Sequence, residues 1–247
     1  MKPLTYRPAL KACLLIKMNC GFKRKLLHLF YPTRCPICGE IINASESFCG
    51  ECYKNINHYT GNFKVINAKS FTAAFVYDEN ITPAINLLKD GICGNADFAL
   101  GSALANKLER NGTAELIDVI IPVPMYSSDK RARGYNQTEL IAKTVGKALD
   151  IPVSTQAVIK VRRTAPQKNL NRIMRTLNIL KAFSVAEPKA LNGKSVLIID
   201  DICTTGNTLA EIAKILIKSG VKEVHCASCC KTPPTKKIKY KTKAVSN

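Results

Sequence analysis

Apolar positions along the chain fall into two rhythms. Short, nearly continuous apolar runs bounded by polar turns occur at Ser70–Tyr77, Leu116–Val123, Ala157–Val161, Val196–Ile199 and Val221–Ser228. Runs of this length suit strands buried on both faces of a parallel sheet. Between them apolar residues recur at helical spacing over Ile81–Leu88, Ala96–Leu108, Glu139–Leu149 and Leu209–Ser219, the last ending at Gly220, a favourable helix-stopping residue. A short apolar helix over Leu26–Phe30 is expected to pack on the segment after it. Strands alternating with helices over residues 70–228 predict an α/β fold, a parallel sheet flanked by helices. In such a sheet the ligand crevice lies beyond the carboxyl ends of the strands.

One stretch at such an end carries distinctive chemistry. The run Val196–Ile199 is followed by adjacent carboxylates, Asp200 and Asp201, which stand where the strand is expected to end. Thr204, Thr205, Gly206, Asn207 and Thr208 come next, and then the helix. A glycine turn at a helix N-terminus aims backbone N–H groups at one point, where the helix dipole favours an anion. Threonine hydroxyls add donors, and Gly206 lets the backbone approach a phosphate closely. The two carboxylates would repel that phosphate, so sugar hydroxyls and hydrated Mg²⁺ are their natural partners. A ligand with a phosphate at one end and a ribose in the middle satisfies both halves. The competing account is a core strand, a Thr-capped helix and two solvated acids. A second strand end, after Val123, leads into Asp129–Gln137, where Lys130, Arg131 and Arg133 stand in a glycine-containing loop suited either to a strongly anionic group or simply to solvent.

Cysteine and charge add to this picture. Cys35, Cys38, Cys49 and Cys52 form C-x2-C-x10-C-x2-C, with Gly39 and Gly50 beside them for tight turns. Four thiolates in paired knuckles suit a structural tetrahedral Zn²⁺, with redox chemistry the competing use. Eleven cysteines, an odd number, argue for a metal site in a reducing compartment and against a disulfide framework, hence a cytoplasmic protein. No apolar run reaches the ~18–20 residues of a membrane span. The formal charge is +19, from 37 bases and 18 acids. Eight of the bases lie in residues 1–34 and six in 231–247, neither segment holding an acid, so the excess sits mostly in the two ends. Such arms attract nucleic acid or anionic surfaces without reading sequence, or serve only as solubilising tails.

The stretch S-V-L-I-I-D-D-I-C-T-T-G-N-T, Ser195–Thr208, resembles the binding motif for phosphoribosyl pyrophosphate (PRPP) in type I phosphoribosyltransferases. Three further features narrow the resemblance to the ComF family, a zinc ribbon joined to such a domain. These are R-G-Y-N-Q at Arg133–Gln137, the spacing of Gln167, Leu170, Arg175, Asn178 and Phe183, and the four-cysteine ribbon. The resemblance implies transfer of a 5-phosphoribosyl group from PRPP to an acceptor, with release of pyrophosphate and with Mg²⁺ bound to the donor. Asp200 and Asp201 would be catalytic, holding the ribose hydroxyls, and Thr204–Thr208 would hold the 5′-phosphate. Lys130, Arg131 and Arg133 would grip pyrophosphate, while Arg163, Gln167 and Arg175 would belong to a lid.

It equally admits a non-catalytic protein of this fold acting as a scaffold in natural competence, in contact with single-stranded DNA or DNA-processing proteins. The expected division is a basic extension (1–25), a ribbon (26–65), a phosphoribosyltransferase-like domain (66–230) and a Lys-rich disordered tail (231–247).

Overall fold

The computed structural model describes residues 24–25, 28–90, 95–163 and 181–233. Its centre is a four-stranded, all-parallel sheet. In chain order the strands are β1 (Ser70–Val76), β2 (Val119–Pro122), β5 (Ser195–Cys203) and β6 (Glu223–Lys231), arranged spatially as β1-β6-β5-β2. Two short strands, β3 (Val158–Lys160) and β4 (Phe183–Val185), pair antiparallel as a separate ribbon, with Ile159 opposite Ser184. The expected strand at 157–161 therefore exists but does not enter the parallel sheet.

Alternation along β5 divides the core. Leu197 and Ile199 face a cluster built with the helices α2 (Thr82–Lys89), α3 (Ala96–Arg110) and α5 (Gln137–Leu149). Val196 and Ile198 face the opposite cluster, built with α6 (Pro188–Leu191), α7 (Asn207–Lys218) and the β3–β4 ribbon. A strand with apolar residues on both faces can only sit between two layers, which is why the sequence shows an unbroken run there. The helices start where local chemistry allows. Pro83 stands in the first turn of α2, and the Asn136 side chain accepts the Thr138 N–H at the start of α5.

The segment Asp129–Gln137, expected as a loop, is mostly helical. A short α4 (Ser127–Arg133) ends at Gly134, whose φ of +86° supplies the left-handed stop. The run S-S-D-K-R-A-R lacks β-branched residues and glycine, so one helical turn costs it little. Two other expectations are corrected. Helical residues occur at 28–30, but Leu29 and Phe30 are each 75% exposed and do not pack inward. Lys231, grouped with the tail by composition, is the last residue of β6 and is buried.

The ribbon holds a short helix, α1 (Gly50–Asn55), and packs on the edge of the sheet. Phe48 meets Phe75 of β1 edge-on at 5.9 Å. The chain leaving the ribbon pairs with β1 through Val76 N–H to Asn57 O at 2.8 Å and Tyr59 N–H to Ala74 O at 3.0 Å. The outer edge of the sheet is thereby covered, as an exposed edge strand requires.

α3 crosses α5 closely at Gly101. A Cβ there would lie 2.7 Å from Thr144 Cβ and 3.3 Å from the Ile141 carbonyl oxygen. Gly101→Ala should therefore destabilise the fold by about 1–3 kcal/mol despite the better helix propensity of alanine. Urea unfolding at matched m-values measures this, and an unchanged or higher midpoint would contradict the crossing.

Candidate functional site

At the carboxyl edge of the sheet lies a cavity of about 990 Å³. Its wall includes Asp200, Asp201 and every residue from Ile202 to Leu209, so Thr204, Thr205, Gly206, Asn207 and Thr208 are brought together around one space. The β5 ladder continues beyond the acids, with Asp200 opposite Ser228 and Cys203 opposite Lys231 on β6. The strand thus runs on to Cys203, past the two acids where it was expected to end. As neighbours on a strand, the two carboxylates leave opposite faces of the sheet at its rim.

Their surroundings differ accordingly. Asp201 Oδ2 is 3.6 Å from Lys89 Nζ at the end of α2 and 3.4 Å from Gln137 Nε2 at the start of α5, which donates to it. Asp200 Oδ1 accepts the Asp201 backbone N–H at 2.9 Å. Burial, followed by the charge of Asp201, pushes the Asp200 carboxyl well above the usual carboxylate range, with Lys89 pulling against it. On the same side, Lys160 of β3 is lowered from its ordinary value by desolvation, opposed by Asp129 and Asp200. Arg163 Nη2 meets Asp129 Oδ1 at 3.0 Å. The bases lining the cavity are Lys89, Lys160 and Arg163, and the acids are Asp129, Asp200 and Asp201.

The turn that follows β5 is made at its glycine. Gly206 has φ +77° and stands immediately before α7, whose first-turn N–H groups have no acceptor within the helix. A side chain at Gly206 would press on Phe63, 3.0 Å from its Cε1. Glycine is needed here for both reasons.

The three bases expected to grip pyrophosphate do not stand in the cavity wall. Lys130, Arg131 and Arg133 are exposed and do not line the cavity. Lys130 Nζ pairs with Glu139 Oε1 at 2.6 Å, and Arg133 Nη1 donates to Gln137 Oε1 at 2.8 Å. The R-G-Y-N-Q segment acts as a junction. Tyr135 Oη donates to the Leu88 carbonyl at 2.7 Å, Asn136 Nδ2 donates to the Val123 carbonyl at 3.1 Å, and Gln137 links Arg133 to Asp201. Of the three lid residues, Arg163 lines the cavity, whereas Gln167 and Arg175 lie outside the described residues. Sequence reasoning missed Lys89 and Lys160, which no motif marks, and it read Gln137 only as part of a signature.

The four ribbon thiols form one cluster, all within 4.8 Å of one another, with Cys38 Sγ and Cys49 Sγ 3.6 Å apart. Zn–S bonds of ~2.3 Å in a tetrahedron place sulfurs a little under ~4 Å apart, so this donor set fits a structural zinc. Gly39, at φ +80°, makes the turn of the first knuckle. Gly50 opens α1 without a positive φ, so that turn does not need glycine. The Cys49 side chain caps α1 by accepting the Cys52 N–H at 3.4 Å. A second cavity, of about 510 Å³, lies between the ribbon and α3, lined by Tyr53, His58, Lys107 and Arg110 among others and, among the described residues, by no acid. Among the described residues no helix is long and apolar enough to cross a membrane.

Fold and site define a phosphoribosyltransferase-type α/β domain preceded by a zinc ribbon. Two family models match accordingly, a double zinc ribbon domain over residues 26–68 and a phosphoribosyl transferase domain over residues 137–246. Competence protein F of Haemophilus influenzae is 32% identical over 218 residues, covering 84% of this chain and 94% of that protein. DNA utilization protein YhgH of Shigella flexneri is 30% identical over 203 residues, covering 81% and 85% respectively. A 76-residue stretch, 31% of this chain, is 40% identical to part of the rat amidophosphoribosyltransferase, 14% of that enzyme. The chain belongs to the competence protein F (ComF) family.

The ribbon and the buried acid can each be checked by substitution. Cys49→Ser removes a thiolate while keeping a side-chain oxygen to cap α1, so the protein should lose bound zinc by elemental analysis and unfold at a lower temperature; full zinc occupancy would contradict the site. An acid whose folded-state pKa is raised destabilises the fold once pH climbs above its ordinary value, and fully so above the raised one. Asp200→Asn should accordingly raise the ligand-free Tm at pH 8, and this gain should vanish as pH falls below about 4, where the acid is neutral in both states. A lower Tm at pH 8 would show that Asp200 is not strained by burial.

Proposed function

We propose that this protein binds PRPP with Mg²⁺ and transfers its 5-phosphoribosyl group to an acceptor, releasing pyrophosphate. The observation that carries this reading is the single stretch 200–208, in which two carboxylates and a left-handed glycine loop at a helix N-terminus line one cavity of about 990 Å³. That volume suits a pentose bearing a phosphate and a diphosphate. The loop Thr204–Thr208 holds the 5′-phosphate through backbone N–H groups and hydroxyls. Asp200 and Asp201 accept from the ribose hydroxyls and stabilise positive charge developing at the anomeric carbon.

The diphosphate falls to the bases that line the cavity, Lys89, Lys160 and Arg163, in place of Lys130, Arg131 and Arg133. Lys89 and Arg163 are paired with Asp201 and Asp129, so an arriving diphosphate exchanges one anionic partner for another. Mg²⁺ fits the site as a hard cation beside the Asp200 carboxylate, whose ionisation is otherwise penalised. When bound, it neutralises diphosphate charge and improves the leaving group. Gln137 and Lys89 fix the Asp201 carboxylate, so its orientation is set before substrate arrives.

A second reading is favoured by the names of the relatives and by the acid-free cavity between ribbon and α3. In it the PRPP pocket acts as a sensor without turnover, and the ribbon face contacts single-stranded DNA or DNA-processing proteins during DNA uptake. Domain limits of 26–65 for the ribbon and 66–230 for the transferase-type domain, the latter extended by one residue to the end of β6 at Lys231, and a reducing, cytoplasmic setting, accord with both readings.

Calorimetric titration with PRPP and Mg²⁺, followed by pyrophosphate-release assays across nucleobases and amines, separates them. Binding should be saturable, and the double variant Asp200→Asn with Asp201→Asn should weaken it at least about tenfold, a loss of ~1.4 kcal/mol. Release of pyrophosphate supports transfer, whereas tight binding without release supports the sensor. Absence of PRPP binding would overturn both.

A further inference from the structure

Behind the phosphate-type loop lies a charge that neither reading uses. Lys231, the last residue of β6, is only 6% exposed. Its Nζ donates to the Thr204 carbonyl at 2.7 Å and to the Thr232 carbonyl at 2.9 Å, and lies 4.3 Å from the centre of the Phe63 ring. Among the described residues no carboxylate forms an ion pair with it. The titratable group facing it from β5 is Cys203, whose thiol burial and the charge of Asp200 push up to about 12, leaving it neutral at pH 7. Buried ammonium groups are ordinarily paired, because a charge taken out of water without a counter-ion is costly.

The same loop is wedged from the same side. Phe63 and Val65, in the segment that leads from the ribbon to β1, contact the position a Gly206 side chain would occupy, Phe63 at 3.0 Å and Val65 at 3.6 Å. Phe63 also stacks edge-on against Phe71 of β1 at 5.3 Å. The turn Thr204–Gly206 is therefore backed by a cation held to its first carbonyl and by an aromatic ring that also contacts that cation.

We propose that Lys231, held by Phe63 against the back of the Thr204–Gly206 turn, is a positioning residue for the 5′-phosphate and the buried counter-charge that the phosphate neutralises. This rests on the reading of Thr204–Thr208 as the phosphate loop. The carbonyls of Thr204 and Thr232 solvate the ammonium only partly, and a dianionic phosphate on the other side of the turn completes its electrostatic environment. Anchoring the Thr204 carbonyl also keeps that oxygen turned away from the phosphate it would repel. The residue is invisible to a motif search because it lies 23 residues beyond Thr208 and opens a Lys-rich stretch.

The test compares wild type, Lys231→Met and Lys231→Gln by calorimetry with two probes, ribose 5-phosphate and inorganic pyrophosphate. Both variants remove the charge, while Gln keeps a donor for Thr204. Ribose 5-phosphate affinity should fall about tenfold or more in both, with pyrophosphate affinity unchanged. The Tm of ligand-free Lys231→Met should be unchanged or higher, since an uncompensated buried charge is gone. Wild-type affinity in Lys231→Gln would overturn the counter-charge role, and equal losses for both probes would overturn its assignment to the 5′-phosphate.

Should either variant fail to fold, the wild-type pH profile decides: desolvation holds Lys231 below the ordinary lysine value, so ribose 5-phosphate affinity should decline in alkali at a lower pH than an ordinary lysine would titrate. A flat profile would contradict the proposal. Failure of wild type to bind ribose 5-phosphate at pH 7.5 would instead count against the phosphate loop itself.

Discussion

The left-handed turn at Gly206 links a central strand of the sheet to α7, and most of the site's geometry depends on that turn. β5 enters it after nine residues of ladder, the first five of them buried, and α7 leaves it at once. Because the turn is short, Asp200, Asp201 and the first turn of α7 are forced onto one cavity wall. Because it needs φ +77° and passes 3.0 Å from Phe63, no residue with a side chain could take the place of glycine without moving the ribbon linker or the loop. The ribbon is thus attached to the site itself. Its outgoing chain covers the edge of β1 and then wedges the loop from behind.

Around that turn the protein keeps its charges balanced. Lys89 stands by Asp201, Arg163 by Asp129, and Lys160 among Asp129 and Asp200. Such pairs solvate one another in a cavity that is partly shielded from water, where isolated charges would be costly. They also leave the site ready to exchange partners with a ligand that brings both negative phosphates and a cation. Asp200 and Lys231 are less well matched: one is raised by burial and a like-charged neighbour, the other has only carbonyl partners close by.

Much of this was legible in the chain. The α/β alternation, the ribbon cysteines and the strand–acid–threonine–glycine stretch each rest on local signals: unbroken apolar runs, fixed spacing and a positive-φ residue before a helix. What local signals cannot show is pairing across space. The β5 ladder runs past Asp200 because Ser228, Cys230 and Lys231 on β6 continue to match it, and nothing in the D-D-I-C sequence discloses that partner. The R-G-Y-N-Q segment looked like an anion loop because basic residues and glycine suit one, yet its side chains tie α2, β2 and β5 together while its bases face solvent. Lys89, Lys160 and Lys231 come from three different elements, and only the sheet topology brings them to one rim. Composition alone assigned Lys231 to the tail.

The central claim is that residues 200–208 form one phosphoribosyl site, with the acids on the sugar and the threonine–glycine loop on the 5′-phosphate. A crystal structure of the protein with PRPP and Mg²⁺ tests it most directly. Ligand density is expected with its 5′-phosphate against the backbone of Thr204–Thr208 and its ribose hydroxyls within hydrogen-bonding distance of Asp200 and Asp201. A ligand bound with its diphosphate in that loop, or bound outside the cavity altogether, would contradict it.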